Sequence, residues 1–179
     1  MGKKLSKEQK SLFEKTKSMK TLIDQTIQTV KRISAKLRPG LLDELGLGAA
    51  IEWQAEEFQN HTGIQCEISS DPEDIVLDKD RSTAFFRIFQ EALTNVARHA
   101  QASEVKGSLR EKDGMIELIV QDNGKGIAEG QLSDPNSFGL IGMCERAKFL
   151  GGEVEIRSIP DKGTTVVAKI PLHQTGGTR

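Results

Sequence analysis

Two pairs of alternating apolar segments, each joined by a short turn sequence, constrain the fold of this chain most. Val105–Arg110 and Met115–Gln121 are joined by EKDG, and Glu153–Ser158 and Thr164–Ile170 are joined by the turn PDKG. Both pairs are typical of β-hairpins, because short Asp- and Gly-containing connections favour antiparallel pairing of the flanking segments. A fifth segment, IQCEIS at 64–69, alternates like a half-buried strand. We therefore predict a mixed, largely antiparallel sheet.

Three helical patterns accompany these strands: Gly48–Asn60, Asp78–Ala100 and Gly139–Leu150. The second is the strongest, because apolar side chains recur along one of its faces. That face carries Phe85, Phe89, Leu93, Val96 and Ala100. Helices with one apolar face and a largely antiparallel sheet predict an α+β body, in which the helices cover one face of the sheet.

The N-terminal part of the chain has a different character. Residues 5–38 contain no Gly or Pro and predict one long helix, which RPG at 38–40 ends because proline disfavours helix at and before its position. A seven-residue spacing predicts a coiled-coil seam, although a helix packed on its own domain stays an alternative. The seam consists of Leu5, Leu12, Met19 and Ile33 on one line and Ile23, Val30 and Leu37 on the other.

Composition limits the classes of function. At 179 residues the chain accommodates one well-packed domain with an appendage. The 25 Lys and Arg residues against 26 Asp and Glu give a formal net charge of −1, so we expect no nucleic-acid partner. No run approaches the roughly 18 apolar residues of a spanning helix, so we expect no membrane contact by this segment. Cys66 and Cys144 have no zinc-binding spacing and indicate reduced thiols in a cytoplasmic protein.

The polar face of the helix Asp78–Ala100 carries groups suited to a metal–phosphate ligand. Glu91, Asn95 and Arg98 fall together at helical spacing, and His99 lies at the edge of this group. Amide and carboxylate oxygens are magnesium ligands, and Arg or His can meet phosphate charge. A solvated helix face with a Glu–Asn contact explains the same pattern.

The segment DNGKGI at 122–127 follows an apolar strand. Asp122 at the strand end could accept a hydrogen bond from an exocyclic amine such as that of adenine, and the glycines behind it allow close backbone approach. A plain turn is the alternative. The spacing fits neither the P-loop nor the dinucleotide-binding glycine pattern, so both of those sites are excluded.

Two more segments are compatible with a ligand. Gly139 and Gly142 in SFGLIGMCER lie at a helix start, where free N–H groups favour phosphate, although a glycine hinge explains them equally well. Thr164 in GTTVVAKIP begins a strand through a glycine, and its hydroxyl could face a ligand.

Taken in order, these segments resemble a known family. EALTNVARHA, DNGKGI, FGLIGMCERA and GTTVVAKIP resemble the N box, G1 box, G2 box and closing Gly-Thr strand of the ATP-binding domain shared by sensor histidine kinases, type II topoisomerases, Hsp90 chaperones and MutL proteins. ISAKLRPGLLDELGLGAAIEW at 33–53 resembles the second dimerisation helix and linker of nitrate/nitrite-type sensor kinases. The resemblance covers about residues 20–172. It implies a two-layer α/β sandwich with a mixed sheet under three helices, and a lid at about 127–138.

The resemblance also implies ATP and Mg²⁺ as ligands and assigns residues to them. Asn95 resembles the Mg²⁺ ligand, Asp122 the carboxylate that reads the adenine amino group, and Thr164 the threonine near the adenine. Glu91 sits where ATP-hydrolysing relatives keep a base, and we expect it to support the water shell of the metal. The other nucleotide-binding residues implied are Arg98, His99, Gly124, Gly126, Ile127, Gly139, Leu140, Gly142 and Met143.

We therefore expect the catalytic, ATP-binding portion of a bacterial two-component sensor histidine kinase. The expected organisation is a partial dimerisation module at 1–45, the ATP-binding domain at 46–172 and a disordered tail at 173–179, with a homodimer formed through the N-terminal helix and a response regulator as partner. The only histidines are His61, His99 and His173. None lies on the long helix, so we expect the phosphoacceptor histidine to come from another segment.

Three alternatives stay open from the sequence. One is an ATP-hydrolysing relative of the same superfamily that uses Glu91, and another is a non-catalytic coiled-coil interaction module. A serine-kinase relative of the anti-sigma type is the third, and the linker LRPGLLDELGLG disfavours it. The sequence also leaves open whether the full-length protein is anchored in a membrane.

Overall fold

The computed structural model describes Thr16, Met19 and residues 40–72, 75–127 and 137–173. The chain divides into two compact units, Met1–Gly40 and Leu41–Arg179. In the first unit Thr16 and Met19 are helical. The rest of the predicted long helix and its seam lies outside the described residues, as do lid positions 128–136 and tail positions 174–179.

The second unit contains the three helices and five strands predicted from the sequence, with ends that differ by a few residues, and one further short helix. In chain order they are α1 (Gly40–Glu44), α2 (Gly46–Thr62), β1 (Gln65–Asp71), α3 (Lys79–Asn95), β2 (Glu104–Lys112), β3 (Met115–Asp122), α4 (Phe138–Phe149), β4 (Glu153–Ile159) and β5 (Gly163–Pro171). The short helix α1 was not predicted. It begins at Gly40, directly after Pro39 in the sequence, and proline is common at helix starts because its missing N–H is not needed there.

The strands form one sheet in the order β1-β2-β3-β5-β4. β1 pairs with β2 in parallel, and the other three pairings are antiparallel. The turn between β2 and β3 consists of Asp113 and Gly114 with φ of 54° and 73°. Two consecutive positive φ angles give a turn whose twist matches that of the flanking strands. The predicted mixed, largely antiparallel sheet is confirmed.

One face of this sheet is covered by helices. Strand β3 directs Ile116, Leu118 and Val120 into the core, where they are at most 3% exposed. Helices α2 and α3 supply most of the apolar side chains that cover them, namely Leu47, Ile51, Ala55, Phe58, Phe85, Phe86, Ile88, Phe89 and Leu93. The opposite face is polar, as the hydrogen bond from Arg110 Nε to Glu117 Oε2 (2.6 Å) illustrates. The predicted two-layer α/β sandwich is therefore confirmed.

Helix α3 is fixed at its first turn. Asp78 Oδ1 accepts hydrogen bonds from the backbone N–H groups of Asp80 (3.0 Å) and Arg81 (2.9 Å), and the bond from Arg81 lowers the pKa of Asp78. The buried Arg81 donates from Nε to the carbonyl of Pro171 (2.6 Å), at the end of β5. These bonds set the position of the helix along the sheet.

The end of α3 differs from the regular helix predicted up to residue 100. Val96–Ala100 forms a π-helical turn, and Gln101 follows with φ of 54°. This wider turn brings the Ala100 carbonyl to the backbone N–H of Lys125, which donates to it at 2.8 Å. Such turns recur at functional sites because they displace side chains from the regular helical positions.

Among the described helices, none combines the length and the apolar character that crossing a membrane requires.

Candidate functional site

A cavity of about 480 Å³ opens where α3 and its π turn face the end of β3, the start of β5 and the start of α4. Most of the residues predicted for a nucleotide site line it together. They are Glu91, Asn95, Arg98, His99, Asp122, Gly126, Ile127, Gly139, Leu140 and Thr164. Segments far apart in the chain therefore meet around one space.

Three predicted residues do not line this cavity. Gly124 is buried against the π turn, where an added Cβ would collide with the carbonyl oxygen of Ala100. At Gly142 an added Cβ would lie 3.0 Å from Nη1 of Arg146. Met143 has no exposed surface and belongs to the core, because its position on α4 faces the sheet. Gly124 and Met143 are therefore buried in the protein interior beside the cavity and do not form its surface.

The floor of the cavity is formed by two adjacent rows across β3, β5 and β4. The first row is apolar and contains Val120, Val166 and Ile156, which are paired in register. Two residues further along each strand, on the same face, lie Asp122 and Thr164, which line the cavity, and Ser158, which lies just outside it. An apolar plane that ends in a polar row can hold a flat ring and hydrogen-bond its edge.

Asp122 is the most buried polar group of this floor, with 6% of its surface exposed. Its Oδ1 accepts a hydrogen bond from the backbone N–H of Gly124 at 2.8 Å. Burial raises the pKa of Asp122, and the backbone hydrogen bonds from Gly124 and Thr164 act in the opposite direction. A carboxylate has about four lone-pair sites, so two backbone donors leave acceptor capacity for a ligand.

The other end of the cavity is charged. Glu91 and Asn95 lie one helical turn apart, and the Glu91 carboxylate packs so closely on Gly139 that an added Cβ would overlap Oε1. The exposed Arg98, His99 and Lys125 also line the cavity. Oxygen donors beside cationic groups suit a metal-bound polyphosphate. Lys125 was not among the predicted site residues, although it lies within DNGKGI.

Asn123 was also missed and has a structural part in the site. Its Oδ1 accepts hydrogen bonds from the backbone N–H groups of Ser103 (3.0 Å) and Glu104 (3.1 Å), and its Nδ2 donates to Ser103 Oγ (3.0 Å). These bonds join the end of β3 to the start of β2. An Asn between a strand-end Asp and a Gly is a recognisable signal, because Asn side chains commonly bond nearby backbone in turns.

The loop after β3 is held from both sides. The Lys125 backbone donates to Ala100 and accepts from the N–H of Asp161 in the β4–β5 turn (2.9 Å). Two residues further on, the backbone N–H of Ile127 donates to Ser158 Oγ at 2.6 Å. The loop wall of the cavity is therefore fixed by two neighbours that are distant in sequence.

Comparison with known proteins identifies the family. The model described as "Histidine kinase-, DNA gyrase B-, and HSP90-like ATPase" matches residues 80–174. The "Signal transduction histidine-protein kinase/phosphatase DegS" of Brevibacillus brevis is 33% identical over 160 residues, which are 89% of this chain and 41% of that protein. The "Oxygen sensor histidine kinase NreB" of Staphylococcus carnosus is 31% identical over 169 residues, 94% of this chain and 49% of that protein. This chain spans less than half of either relative.

Solved structures agree in fold. The histidine kinase domain of the Erythrobacter litoralis EL346 blue-light activated histidine kinase gives a TM-score of 0.58 at 25% identity, over 70% of this chain and 61% of that one. The catalytic domain of histidine kinase ThkA, in a nucleotide-free form, gives a TM-score of 0.59 at 17% identity, over 70% of this chain and 90% of that one. The chain belongs to the histidine kinase-, DNA gyrase B- and HSP90-like ATPases, and within them to the ATP-binding domains of sensor histidine kinases of the nitrate/nitrite-sensor type.

Proposed function

We propose that this chain binds Mg-ATP in the cavity and transfers the γ-phosphoryl group to a histidine supplied by another segment, for relay to a response regulator. The observation that carries the proposal is the buried Asp122 at the edge of an apolar floor, with the oxygen donors Glu91 and Asn95 at the opposite end. ATP has an adenine ring at one end, which needs an apolar surface with a hydrogen-bond acceptor at its edge. At its other end is a metal-bound triphosphate, which needs oxygen ligands for the metal ion.

At the base end, the plane of Val120, Val166 and Ile156 would contact the face of the adenine ring. Asp122 would accept a hydrogen bond from the exocyclic amino group. This role needs an acceptor in a place that water reaches poorly, because a hydrogen bond to a charged group contributes more there than at an exposed surface. Thr164 lies beside Asp122 and would contact the same edge of the ring.

At the phosphate end, the donor set fits Mg²⁺, which prefers carboxylate and amide oxygens and keeps several waters. Asn95 would hold the ion, Glu91 would support its water shell, and the bound ion would neutralise charge on the phosphates. Arg98, His99 and Lys125 would contact phosphate oxygens directly. The phosphate groups would therefore lie towards the start of α4.

The chemical step is an in-line displacement. An imidazole nitrogen of the acceptor attacks the γ-phosphorus, the bond to the β–γ bridging oxygen breaks, and ADP leaves with that oxygen and its electron pair. The chain contributes position and electrostatic complementarity. We assign 46–172 to this activity, 1–45 to part of a dimerisation module that forms the homodimer, and 173–179 to a tail, in a protein that works in the cytoplasm.

A calorimetric titration with Mg-AMP-PNP tests nucleotide binding. The wild-type chain is expected to bind, and Asp122→Asn to reduce affinity about 100-fold or more, because the amide turns an N–H₂ donor towards the donor on adenine. Asp161→Asn is the matched control, since the same change falls on an exposed turn residue outside the cavity. Unchanged affinity in Asp122→Asn would remove the adenine assignment.

Incubation with γ-labelled ATP tests the origin of the acceptor. We expect no acid-labile radiolabel on this chain alone, because none of its three histidines lies on the long N-terminal helix. His61 lies on α2, where its Nδ1 is 2.7 Å from the carbonyl oxygen of Glu57. Radiolabel that stays on the isolated chain in alkali and is lost in acid would contradict transfer to a histidine from another segment.

A further inference from the structure

The hydroxyl of Ser158 lies at the junction of three segments around the cavity. Its Oγ is 2.6 Å from the Ile127 nitrogen, 3.3 Å from the Gly163 carbonyl oxygen and 3.2 Å from Thr164 Oγ1. Ser158 itself does not line the cavity, whereas Ile127 and Thr164 do. Any effect of this hydroxyl on a ligand must therefore pass through those two residues.

The hydrogen atoms at this junction can be assigned from donor and acceptor capacity. A serine hydroxyl has one donor and two acceptor sites, and a backbone N–H can only donate. Ile127 N–H therefore donates to Ser158, and Ser158 O–H donates to the Gly163 carbonyl. The remaining acceptor site of Ser158 takes the hydrogen of Thr164 O–H. Thr164 is left with its lone pairs for the cavity.

The same junction is connected to Asp122. The backbone N–H of Thr164 lies close enough to the Asp122 carboxylate to lower its pKa, against the larger effect of burial. The position of Thr164 thus affects both polar groups of the cavity floor. Gly126 packs directly beside the hydroxyl, since an added Cβ there would lie 2.9 Å from Ser158 Oγ. The glycine leaves the space in which Ser158 meets the loop.

We propose that Ser158 is a positioning residue for nucleotide binding. It holds the loop after β3 through the Ile127 N–H and orients the Thr164 hydroxyl and, through Thr164, the Asp122 carboxylate. This inference rests on the proposed binding of ATP. Part of the affinity for the adenine base then depends on Ser158, a residue of the edge strand β4 that does not line the cavity.

Ser158→Ala tests the proposal by calorimetric titration with Mg-ADP and Mg-AMP-PNP. We expect affinity to fall about three- to tenfold, as for one or two lost hydrogen bonds, and by the same factor for both nucleotides, because the change lies at the base end. Hydrogen exchange at the Ile127 amide of the free protein should become faster. Ser158→Thr, which keeps the hydroxyl, should restore both the affinity and the exchange rate.

Ser70→Ala is the matched control. Ser70 lies on β1, the other edge strand, and its hydroxyl also bonds a backbone carbonyl, that of Pro72 at 3.0 Å. We expect its affinity for both nucleotides to equal that of the wild type. If Ser158→Ala does not fold, Ser158→Cys takes its place, because sulfur has nearly the same shape and accepts hydrogen bonds weakly.

The outcomes separate the two proposals. A wild-type chain that binds neither nucleotide rejects the proposed function itself. A wild-type chain that binds, with Ser158→Ala or Ser158→Cys equally tight, overturns the positioning role alone. A loss for Mg-AMP-PNP but not for Mg-ADP would also overturn it, since the effect would then lie at the γ-phosphate. Failure of Ser158→Thr to restore affinity counts against the hydroxyl in the same way.

Discussion

Gly163 provides the sharpest test of how closely the segments around the site are packed. Its φ of +92° lies in a region that residues with a side chain rarely adopt, and an added Cβ would overlap the carbonyl oxygen of Asp122. Gly163→Ala therefore has two costs, one from backbone conformation and one from the collision. The collision falls on the residue that we assign to the adenine.

Gly46 separates these two costs. It has a similar φ of +82°, with nothing within 4 Å of an added Cβ. Gly46→Ala should cost about 1–2 kcal/mol in free energy of unfolding, the usual penalty for a left-handed L-residue. Gly163→Ala should add about 1–3 kcal/mol for overpacking, which gives roughly 2–5 kcal/mol in total.

Urea unfolding of the two variants and the wild type measures these values, and titration with Mg-AMP-PNP measures the effect on the site. We expect Gly163→Ala to weaken nucleotide binding about tenfold or more, because the strand end that carries Asp122 must move, and Gly46→Ala to leave it unchanged. Equal stability of the two variants, within about 0.5 kcal/mol, would refute the argument. It would mean that a negligible backbone shift relieves the contact between β5 and the end of β3.

Two further predictions concern the carboxylate of Asp122 and the amide of Asn95. Because burial raises the pKa of Asp122, ionising it costs folding free energy, so Asp122→Asn should be more stable than the wild type by about 0.5–2 kcal/mol at pH 7. That gain should shrink as pH falls through the raised pKa and vanish below about pH 4, and a gain that is constant with pH in urea unfolding would contradict this reasoning. Asn95→Ala should weaken binding of Mg-ATP about tenfold but not that of ATP in EDTA, because only the metal-bound form uses the amide oxygen. Thr94→Ala, which removes a hydroxyl bonded to the Gln90 carbonyl in the same helix, should change neither affinity, and equal losses with and without Mg²⁺ in Asn95→Ala would argue against the metal role.

Local patterns made much of the fold predictable. The apolar face of α3 was evident because Phe85, Phe89 and Leu93 recur at helical spacing, and each is at most 2% exposed. The hairpin between β2 and β3 was predictable because Asp113 and Gly114 suit positive φ. Such signals lie within a few residues of one another, so a single sequence contains them in full.

Features that depend on distant contacts were not predictable in this way. The π turn after Asn95 includes a carbonyl that bonds Lys125, and no local pattern records that contact. Met143 shares a sequence box with Gly139 and Leu140, but only the packing of α4 shows that its side chain faces the core. Ser158 could be recognised only once the pairing of β4 with β5 had placed it opposite Thr164.

The backbone of Lys125 lies between the Ala100 carbonyl and the Asp161 N–H, and this has a consequence for protein engineering. The β4–β5 turn is exposed, so by exposure alone it is a natural place to insert a peptide or a fluorescent domain. An insertion there would pull on the loop wall of the cavity and should impair nucleotide binding. The turn at Asp113 and Gly114 lies at the opposite end of β3, away from the cavity, and is the better insertion point. A fluorescent domain that is to report on nucleotide binding without weakening it should be inserted at that turn.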